Sequence, residues 1–255
     1  MRKSVIGLSA LLLASAAAPA MAQDEPSDGV KITGSVGLVS DYRFRGFTQN
    51  LENAAVQGGI TATHESGFYV GTWGSSVNLY GPSNTEIDLF AGYSTEVSPG
   101  VTVDAGVLYY LYPNKTSEAT DFFEPYVNVI GAIGPVTAKV GVNFAWKQNA
   151  LLARDNVLGV TTGRKASAIY FHAEPSIAIP NTPFGLNAHV GYAVSDAFPG
   201  GYTPYDHDVL DYSVGATATY KILTFGVSYV NTDQKVNKEA NGADGAVVFS
   251  LTAAF

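Results

Sequence analysis

The sequence contains no cysteine, so it can build neither a disulfide framework nor a lipid-bearing N-terminal cysteine. Histidine is scarce, with four residues, and 14 Lys and Arg stand against 22 Asp and Glu. This acidic balance argues against nucleic acid as a partner. Stability must come from backbone hydrogen bonding and side-chain packing.

Beyond its N-terminus the sequence also lacks any apolar run of the roughly 20 residues that a spanning helix needs. The N-terminal run, Val5 to Ala18, follows two basic residues and precedes Ala20-Met21-Ala22. This order is typical of a signal peptide covering residues 1–22, and we expect cleavage before Gln23. The remaining chain then has 12 bases minus 22 acids, a net charge of −10. Residues 23–29 would form a short periplasmic segment.

What the chain does contain is alternation of apolar and polar residues at period two. At the C-terminus, GAVVFSLTAAF places Val247, Phe249, Leu251 and Phe255 on one face. Twelve segments alternate in this way: 30–41, 54–65, 67–78, 84–96, 100–112, 120–132, 135–147, 167–179, 183–195, 208–220, 222–233 and 244–255. Their lengths favour a membrane-crossing strand, which needs about 9 to 11 residues, over a globular one of about 5 to 6.

The connections between these predicted strands alternate in length. Tight turns fall at 65–67, 98–100, 133–135, 181–182 and around Lys221. Longer connections fall at 42–53, 79–83, 113–119, 148–166, 196–207 and 234–243. Short turns on one rim and long loops on the other are typical of outer-membrane barrels, with both termini on the periplasmic side. We therefore predict an all-β, up-and-down antiparallel barrel of twelve strands over residues 30–255.

Odd- and even-numbered positions along a strand point to opposite faces, and we call this property parity. It gives each strand an apolar face for lipid and a polar, glycine-rich face that leaves space in the lumen. The strand at 67–78 is ambiguous, because either Trp73 and Val77 or Phe68 and Val70 can face inward. Inward ionisable positions are seven acids and four bases: Asp41, Glu86, Asp88, Asp104, Glu124, Glu174 and Asp211, against Arg43, Arg45, Lys139 and Lys147. The excess of acids predicts a weak cation preference if the lumen is open. The pore-lining candidates are Asp41, Arg43, Arg45, Asp88, Asp104, Glu124, Lys139, His172, Glu174, His189 and Asp211.

Several ordered motifs in the first half carry a family resemblance. They are SDYRFRGFTQ (Ser40 to Gln49), AVQGG (Ala55 to Gly59), SGFYVGTWGSSV (Ser66 to Val77), EIDLFAGY (Glu86 to Tyr93) and YYLYP (Tyr109 to Pro113). With them the chain resembles the TorF-type family of proteobacterial porins. The resemblance implies an outer-membrane channel-like barrel, and it brings no solute, catalytic residue or ligand residue with it.

Alternation continues through Ser40 to Gln49, so Asp41, Arg43 and Arg45 should face the lumen at the outer rim. Tyr42 and Phe44 should then face the membrane interface. Two interpretations of the arginines stay open. They attract anionic solutes, because guanidinium is always charged and forks onto carboxylate or phosphate, or they pair with inward acids and stiffen the wall.

Two Glu-Pro pairs, Glu124-Pro125 and Glu174-Pro175, place proline inside predicted strands. A bulge or local irregularity is expected there, and bulges can aim the glutamates into the pore. The alternative is that the prolines lie near loop ends, where pairing already fades. His172, Glu174 and His189 share one inner face, which allows either a metal site or His-Glu hydrogen bonding. We expect the hydrogen bonding, with no metal and no cofactor.

Together these patterns predict an outer-membrane, porin-like channel of a Gram-negative bacterium for passive diffusion of small hydrophilic solutes. The expected partners are membrane lipid, lipopolysaccharide and the barrel assembly machinery, which would recognise the strand ending at Phe255. One alternative is a sealed structural or adhesive barrel acting through loops 151–165 and 196–208. Another is an outer-membrane hydrolase, but the four histidines show no Ser-His-acid arrangement, and no enzyme activity is expected.

Overall fold

The computed structural model describes residues 29–80, 83–113, 120–154, 161–195, 197, 208–234 and 242–255. The predicted signal peptide lies outside these residues. So does most of the predicted loop at 196–207. The described part of the chain holds no helix long and apolar enough to span a membrane.

Sixteen strands make up the described structure. In chain order they are β1 (Val30–Val39), β2 (Arg43–Phe44), β3 (Phe47–Thr48), β4 (Ala55–His64), β5 (Phe68–Tyr80), β6 (Ser83–Ser98), β7 (Val101–Leu111), β8 (Phe122–Ile133), β9 (Val136–Ala145), β10 (Leu152–Arg154), β11 (Thr161–Lys165), β12 (Ala168–Ala178), β13 (Phe184–Ser195), β14 (Asp208–Tyr220), β15 (Leu223–Thr232) and β16 (Ala246–Ala254). Twelve of them close into one antiparallel barrel, whereas β2-β3 and β10-β11 form separate two-stranded sheets. The predicted twelve-stranded barrel is confirmed.

Strand β1 closes the barrel by pairing with both β4 and β16. The last residue takes part, because the Phe255 N–H donates to the Gly34 carbonyl at 2.9 Å and the Gly34 N–H donates back to the Phe255 carbonyl at 2.8 Å. Every barrel strand therefore has two hydrogen-bonded neighbours. Closure leaves no free sheet edge, which a barrel in lipid requires.

The two faces of the wall follow the predicted alternation. On β5, Phe68 and Val70 are exposed at 64% and 59%, whereas Trp73 and Val77 are buried inside the barrel. The ambiguous strand therefore turns its tryptophan inward. Similar exposed apolar residues cover the outside of the other barrel strands: Ile32, Val36, Leu38, Leu89, Val107, Val140, Phe171, Val190, Val214, Phe225 and Phe249 are examples.

Several inner glycines make room for aromatic rings. Tyr126, on β8, lies against Gly106 of β7, and a methyl group built on Gly106 would sit 2.6 Å from the tyrosine Oη. Tyr69 lies against Gly92 and Tyr170 against Gly191 in the same way. Because glycine lacks a Cβ, the phenol end of the ring can reach the neighbouring strand. This packing brings bulky rings into the lumen and narrows it.

The bulges expected at the two Glu-Pro pairs are absent. Residue pairing runs through Pro125 to Val107 and through Pro175 to Ala138 without a register shift. Proline can adopt a strand conformation, and it removes only one backbone donor. Pro175 therefore keeps its pairing with β9, whereas the pairing of β12 with β13 omits the two residues between Ala173 and Ser176. The register shifts of the barrel wall lie instead in β5-β6 and β6-β7.

Replacing Gly106 with Ala tests the ring-on-glycine packing. The new methyl group collides with the Tyr126 ring, so the free energy of unfolding should fall by about 1–3 kcal/mol. The measurement is equilibrium unfolding by urea in lipid vesicles. Gly131→Ala on β8 is the matched control, because the nearest atom to its new methyl group lies 3.6 Å away. Equal losses in the two variants would contradict the packing.

Candidate functional site in the barrel lumen

Residues 41–50 leave the barrel wall and fold into the lumen. Within them β2 and β3 pair, with Phe44 opposite Phe47, around the two-residue turn Arg45-Gly46. Both turn residues have positive φ, 50° and 86°, as a tight type I′ hairpin requires. We call residues 41–50 the lumenal hairpin.

The expectation that Tyr42 and Phe44 face the membrane interface is wrong. Both side chains are buried in the lumen, at 6% and 9% exposure. The alternation in this segment belongs to a small hairpin rather than to an extension of β1, so both of its faces meet protein. The edge of Tyr42 packs on Trp73, and Phe44 packs edge-on against Tyr110.

The lumenal hairpin is tied to the wall on several sides. The Thr48 N–H donates to the Gly242 carbonyl at 2.8 Å, and the Asn78 N–H donates to the Gln49 carbonyl at 2.9 Å. At the tip, a side chain on Gly46 would lie 3.1 Å from Cβ of Asp211 on β14. The hairpin therefore crosses the lumen at the end that carries the long connections.

Arg45 makes the central contact of this crossing. Its Nη2 donates to both carboxylate oxygens of Glu124, on β8, at 2.8 Å each. Its guanidinium carbon lies 4.0 Å above the Tyr170 ring of β12. Burial works against the charged form of Arg45, but Glu124 together with Tyr110 and Tyr170 favours it, and the net effect raises the pKa of Arg45 above the ordinary arginine value.

Arg43 is held at the base of the hairpin. It pairs with Asp41, and its Nη1 donates to the carbonyls of Gly242 at 3.1 Å and Asp244 at 2.9 Å. Asp41 also accepts a hydrogen bond from the Thr48 hydroxyl at 2.6 Å. Both predicted arginines therefore lie in the lumen with acidic partners, which is the arrangement that the wall-stiffening interpretation describes.

Behind the lumenal hairpin lies a buried group of carboxylates, which we call the acidic chamber: Glu86, Asp88 and Glu124. Each is at most 1% exposed. Glu86 accepts hydrogen bonds from the hydroxyls of Tyr42 at 2.8 Å and Tyr112 at 2.7 Å. Within the described part of the chain, neither oxygen of Asp88 has a hydrogen-bond partner. The chamber thus holds acceptors that the protein leaves unused.

A second polar network lies on β9, β12, β13 and β14. Glu174 contacts Lys139 at 2.7 Å and the His172 Nδ1 at 3.0 Å. His189 lies 3.0 Å from Asp211 through its Nε2. The described residues contain no group of three or more His, Cys, Asp or Glu side chains arranged to hold a metal ion. Ion pairs and hydrogen bonds to neighbouring side chains are sufficient to explain why these polar residues lie in the lumen.

The remaining predicted positions differ in their surroundings. Asp104 is buried, and it accepts from the Tyr69 hydroxyl at 2.7 Å and from the Asn128 amide at 3.1 Å. Lys147 was expected to face inward, but it lies beyond the end of β9 and is exposed. The strand there ends at Ala145, so parity no longer fixes the direction of its side chain.

An off-centre cavity of about 200 Å³ remains between the lumenal hairpin and the wall. Its ionisable lining consists of three acids, three bases and two histidines: Asp41, Glu174, Asp211, Arg43, Arg45, Lys139, His172 and His189. The wall formed by β14, β15 and β16 contributes hydroxyl side chains: Ser213, Thr217, Thr224, Ser228, Ser250 and Thr252. Three of the predicted pore-lining residues, Asp88, Asp104 and Glu124, lie outside this lining.

Sequence reasoning missed the lumenal hairpin itself, and with it the inward roles of Tyr42, Phe44 and Gly46. A local signal was present. Arg45-Gly46 stands between two short aromatic segments, and glycine at the second position suits a two-residue turn with positive φ. The partner of Arg45 could not be predicted from neighbouring residues, because Glu124 lies 79 residues away in the sequence.

A closed antiparallel barrel with an apolar exterior and a polar lumen has the fold of outer-membrane β-barrels. Solved structures share this fold. An outer membrane channel from Pseudomonas putida F1 aligns with a TM-score of 0.52 at 9% identity, over 91% of this chain and 99% of that chain. A membrane protein crystallised in meso aligns at 0.51 and 11% identity, over 88% and 83%. A porin refined at 1.8 Å resolution aligns at 0.44 and 12%, over 89% and 100%.

The chain belongs to the Gcw_chp family of bacterial proteins of unknown function, whose model matches residues 23–255. No curated protein matches the sequence. The resemblance to TorF-type porins stays a prediction.

Replacing Glu124 with Gln tests whether the Arg45 ion pair holds the lumenal hairpin. The variant leaves a buried guanidinium without its carboxylate, so the hairpin should open more often. We expect the Thr48 and Gln49 amides to exchange hydrogen about tenfold faster, which corresponds to about 1.4 kcal/mol. Glu96→Gln, an exposed glutamate near the end of β6, is the control. Unchanged exchange in the Glu124 variant would show that the other anchors suffice.

Proposed function

We propose that this protein is a porin-like channel in the outer membrane of a Gram-negative bacterium, through which small hydrophilic solutes diffuse passively. The observation that carries the proposal is the off-centre cavity. A sealed structural barrel has no need for an open space lined by hydroxyl and charged side chains. The fold shared with outer-membrane channels supports the same class of protein.

The cavity gives the proposed path its direction. It extends from Arg43 and Gly46 of the lumenal hairpin to Thr224 and Thr252, which lie close to the rim of short turns. The hairpin narrows the opposite end. Solutes would therefore pass beside the hairpin, along the wall formed by β14, β15 and β16. A passage of this kind admits small molecules and excludes folded proteins.

The proposed selectivity is a weak preference for cations. Among the residues that the structure describes, the seven predicted acidic side chains lie inside the barrel with three basic ones, Arg43, Arg45 and Lys139. Most of the excess acids are set back from the cavity, whose own lining balances three acids with three bases. The field of the recessed carboxylates acts over some distance, so it biases ion entry without binding ions tightly.

A protein in the outer membrane would contact membrane components through its outer surface. The exposed apolar belt would contact lipid, and the ends of the strands would contact lipopolysaccharide on the outer leaflet. Phe255 ends the closing strand with 63% of its surface exposed. We assign to this residue and to β16 the contact with the barrel assembly machinery.

Charge substitutions at Ser228 test whether the cavity conducts. Ser228 lies on β15 and lines the cavity, so Ser228→Glu should shift the reversal potential toward cations and Ser228→Lys should shift it toward anions. The measurement is the reversal potential of single channels in a planar bilayer under a salt gradient. The wild-type value should have the sign that favours cations.

The same two substitutions at Ser66, in the exposed turn between β4 and β5, serve as controls and should leave the reversal potential nearly unchanged. Equal shifts at both positions would place the path elsewhere. Refolded protein that never conducts would contradict the channel and favour the sealed barrel.

A further inference from the structure

We infer that the place occupied by the Arg45 side chain is a binding site for small organic cations, and that Arg45 holds it as a tethered substitute. The class of ligand is a solute bearing a guanidinium or primary ammonium group. Such a solute would compete with Arg45 for Glu124 and the ring of Tyr170.

The recognition elements of this site are those that select cations. Glu124 accepts two hydrogen bonds from one nitrogen of Arg45, each 2.8 Å long. The face of Tyr170 lies 4.0 Å from the guanidinium carbon, which is the geometry of a cation–π contact. A carboxylate and an aromatic face together recognise a delocalised cation through charge and through stacking.

The wall holds Glu124 in place without help from Arg45. The Tyr110 hydroxyl donates to Glu124 Oε2 at 3.2 Å, and the Asn143 amide donates to the same oxygen at 3.0 Å. All three residues belong to barrel strands β7, β8 and β9, so the site stays assembled when the lumenal hairpin moves. Arg45 is the one partner of Glu124 among these contacts that does not belong to a barrel strand.

The acidic chamber supplies the second, independent observation. Asp88 is fully buried and has no hydrogen-bond partner for either oxygen among the described residues. Unused buried acceptors are uncommon, because a buried polar group that has lost its water destabilises the fold unless it gains a new partner. A cation entering beside Glu124 would meet these carboxylates, whereas an anion would be repelled.

Displacing Arg45 would also change the channel. The tip of the hairpin would lose its main side-chain contact, so the hairpin would leave the mouth more often. The passage would then widen, while the bound cation balances the charge of Glu124 in place of Arg45. This consequence rests on the proposed channel function, whereas binding at the site does not.

The test uses Arg45→Gly and a matched pair of probes, ethylguanidinium and ethylurea, which have similar shape and differ in charge. Glycine suits the positive φ of position 45, so the hairpin retains its turn. Calorimetry on the refolded protein in detergent should show ethylguanidinium binding at least tenfold more tightly than ethylurea. Wild type should bind ethylguanidinium more weakly, because Arg45 competes.

Two further variants keep the result interpretable. Arg45→Gly combined with Glu124→Gln should lose the preference for ethylguanidinium, and Arg164→Ala, which removes an exposed arginine, should behave as wild type. If Arg45→Gly fails to refold, as judged by heat-modifiable migration on a gel, Arg45→Gln replaces it in the same measurement. Equal binding of the two probes, or none, would overturn the site.

Conductance measured in parallel separates this inference from the channel. Binding in a barrel that never conducts would overturn the proposed function and leave the site intact. Conduction without preferential binding of ethylguanidinium would overturn the site and leave the channel intact.

Discussion

The ion pair between Arg45 and Glu124 organises the lumen of this barrel. It joins the tip of the lumenal hairpin to the far wall, with both side chains almost completely buried. Removing two charges from water is costly unless each finds strong partners, and here the guanidinium has a carboxylate and an aromatic face. This contact fixes the tip of the hairpin, and so it sets the boundary between the cavity and the acidic chamber.

The barrel wall provides the rigidity that such a contact needs. Closure through β1 leaves each strand paired on both sides, so Glu124 and Tyr170 are fixed on the sheet. Aromatic rings packed on inner glycines and the lumenal hairpin occupy part of the lumen. The cavity that remains lies between the hairpin and the wall, so the lumen of the twelve strands is narrowed but not filled.

The strands could be predicted from the sequence because side chains alternate at period two wherever one face meets lipid and the other meets the lumen. That rule located all twelve barrel strands to within two residues at their ends. The same rule misled at Tyr42 and Phe44, because a short hairpin alternates as a wall strand does. Parity also cannot tell how deep an inward residue lies. Asp88 and Asp211 share the inner face, yet only Asp211 lines the cavity. Distances across the barrel, such as that from Arg45 to Glu124, depend on three-dimensional closure and have no local sequence signal.

Everything in this account of the lumen depends on residues 41–50 lying inside the barrel mouth. A disulfide tests this location directly in the double variant Thr48→Cys, Gly242→Cys. A Cβ at position 242 would lie 3.6 Å from Cβ of Thr48, which is within disulfide geometry. The chain has no cysteine of its own that could interfere. The measurement is bond formation in the folded double variant, read as loss of both free thiols and their recovery on reduction. We predict that the bond forms readily in the folded protein. Two thiols that stay free under oxidising conditions would contradict an inward-folded hairpin.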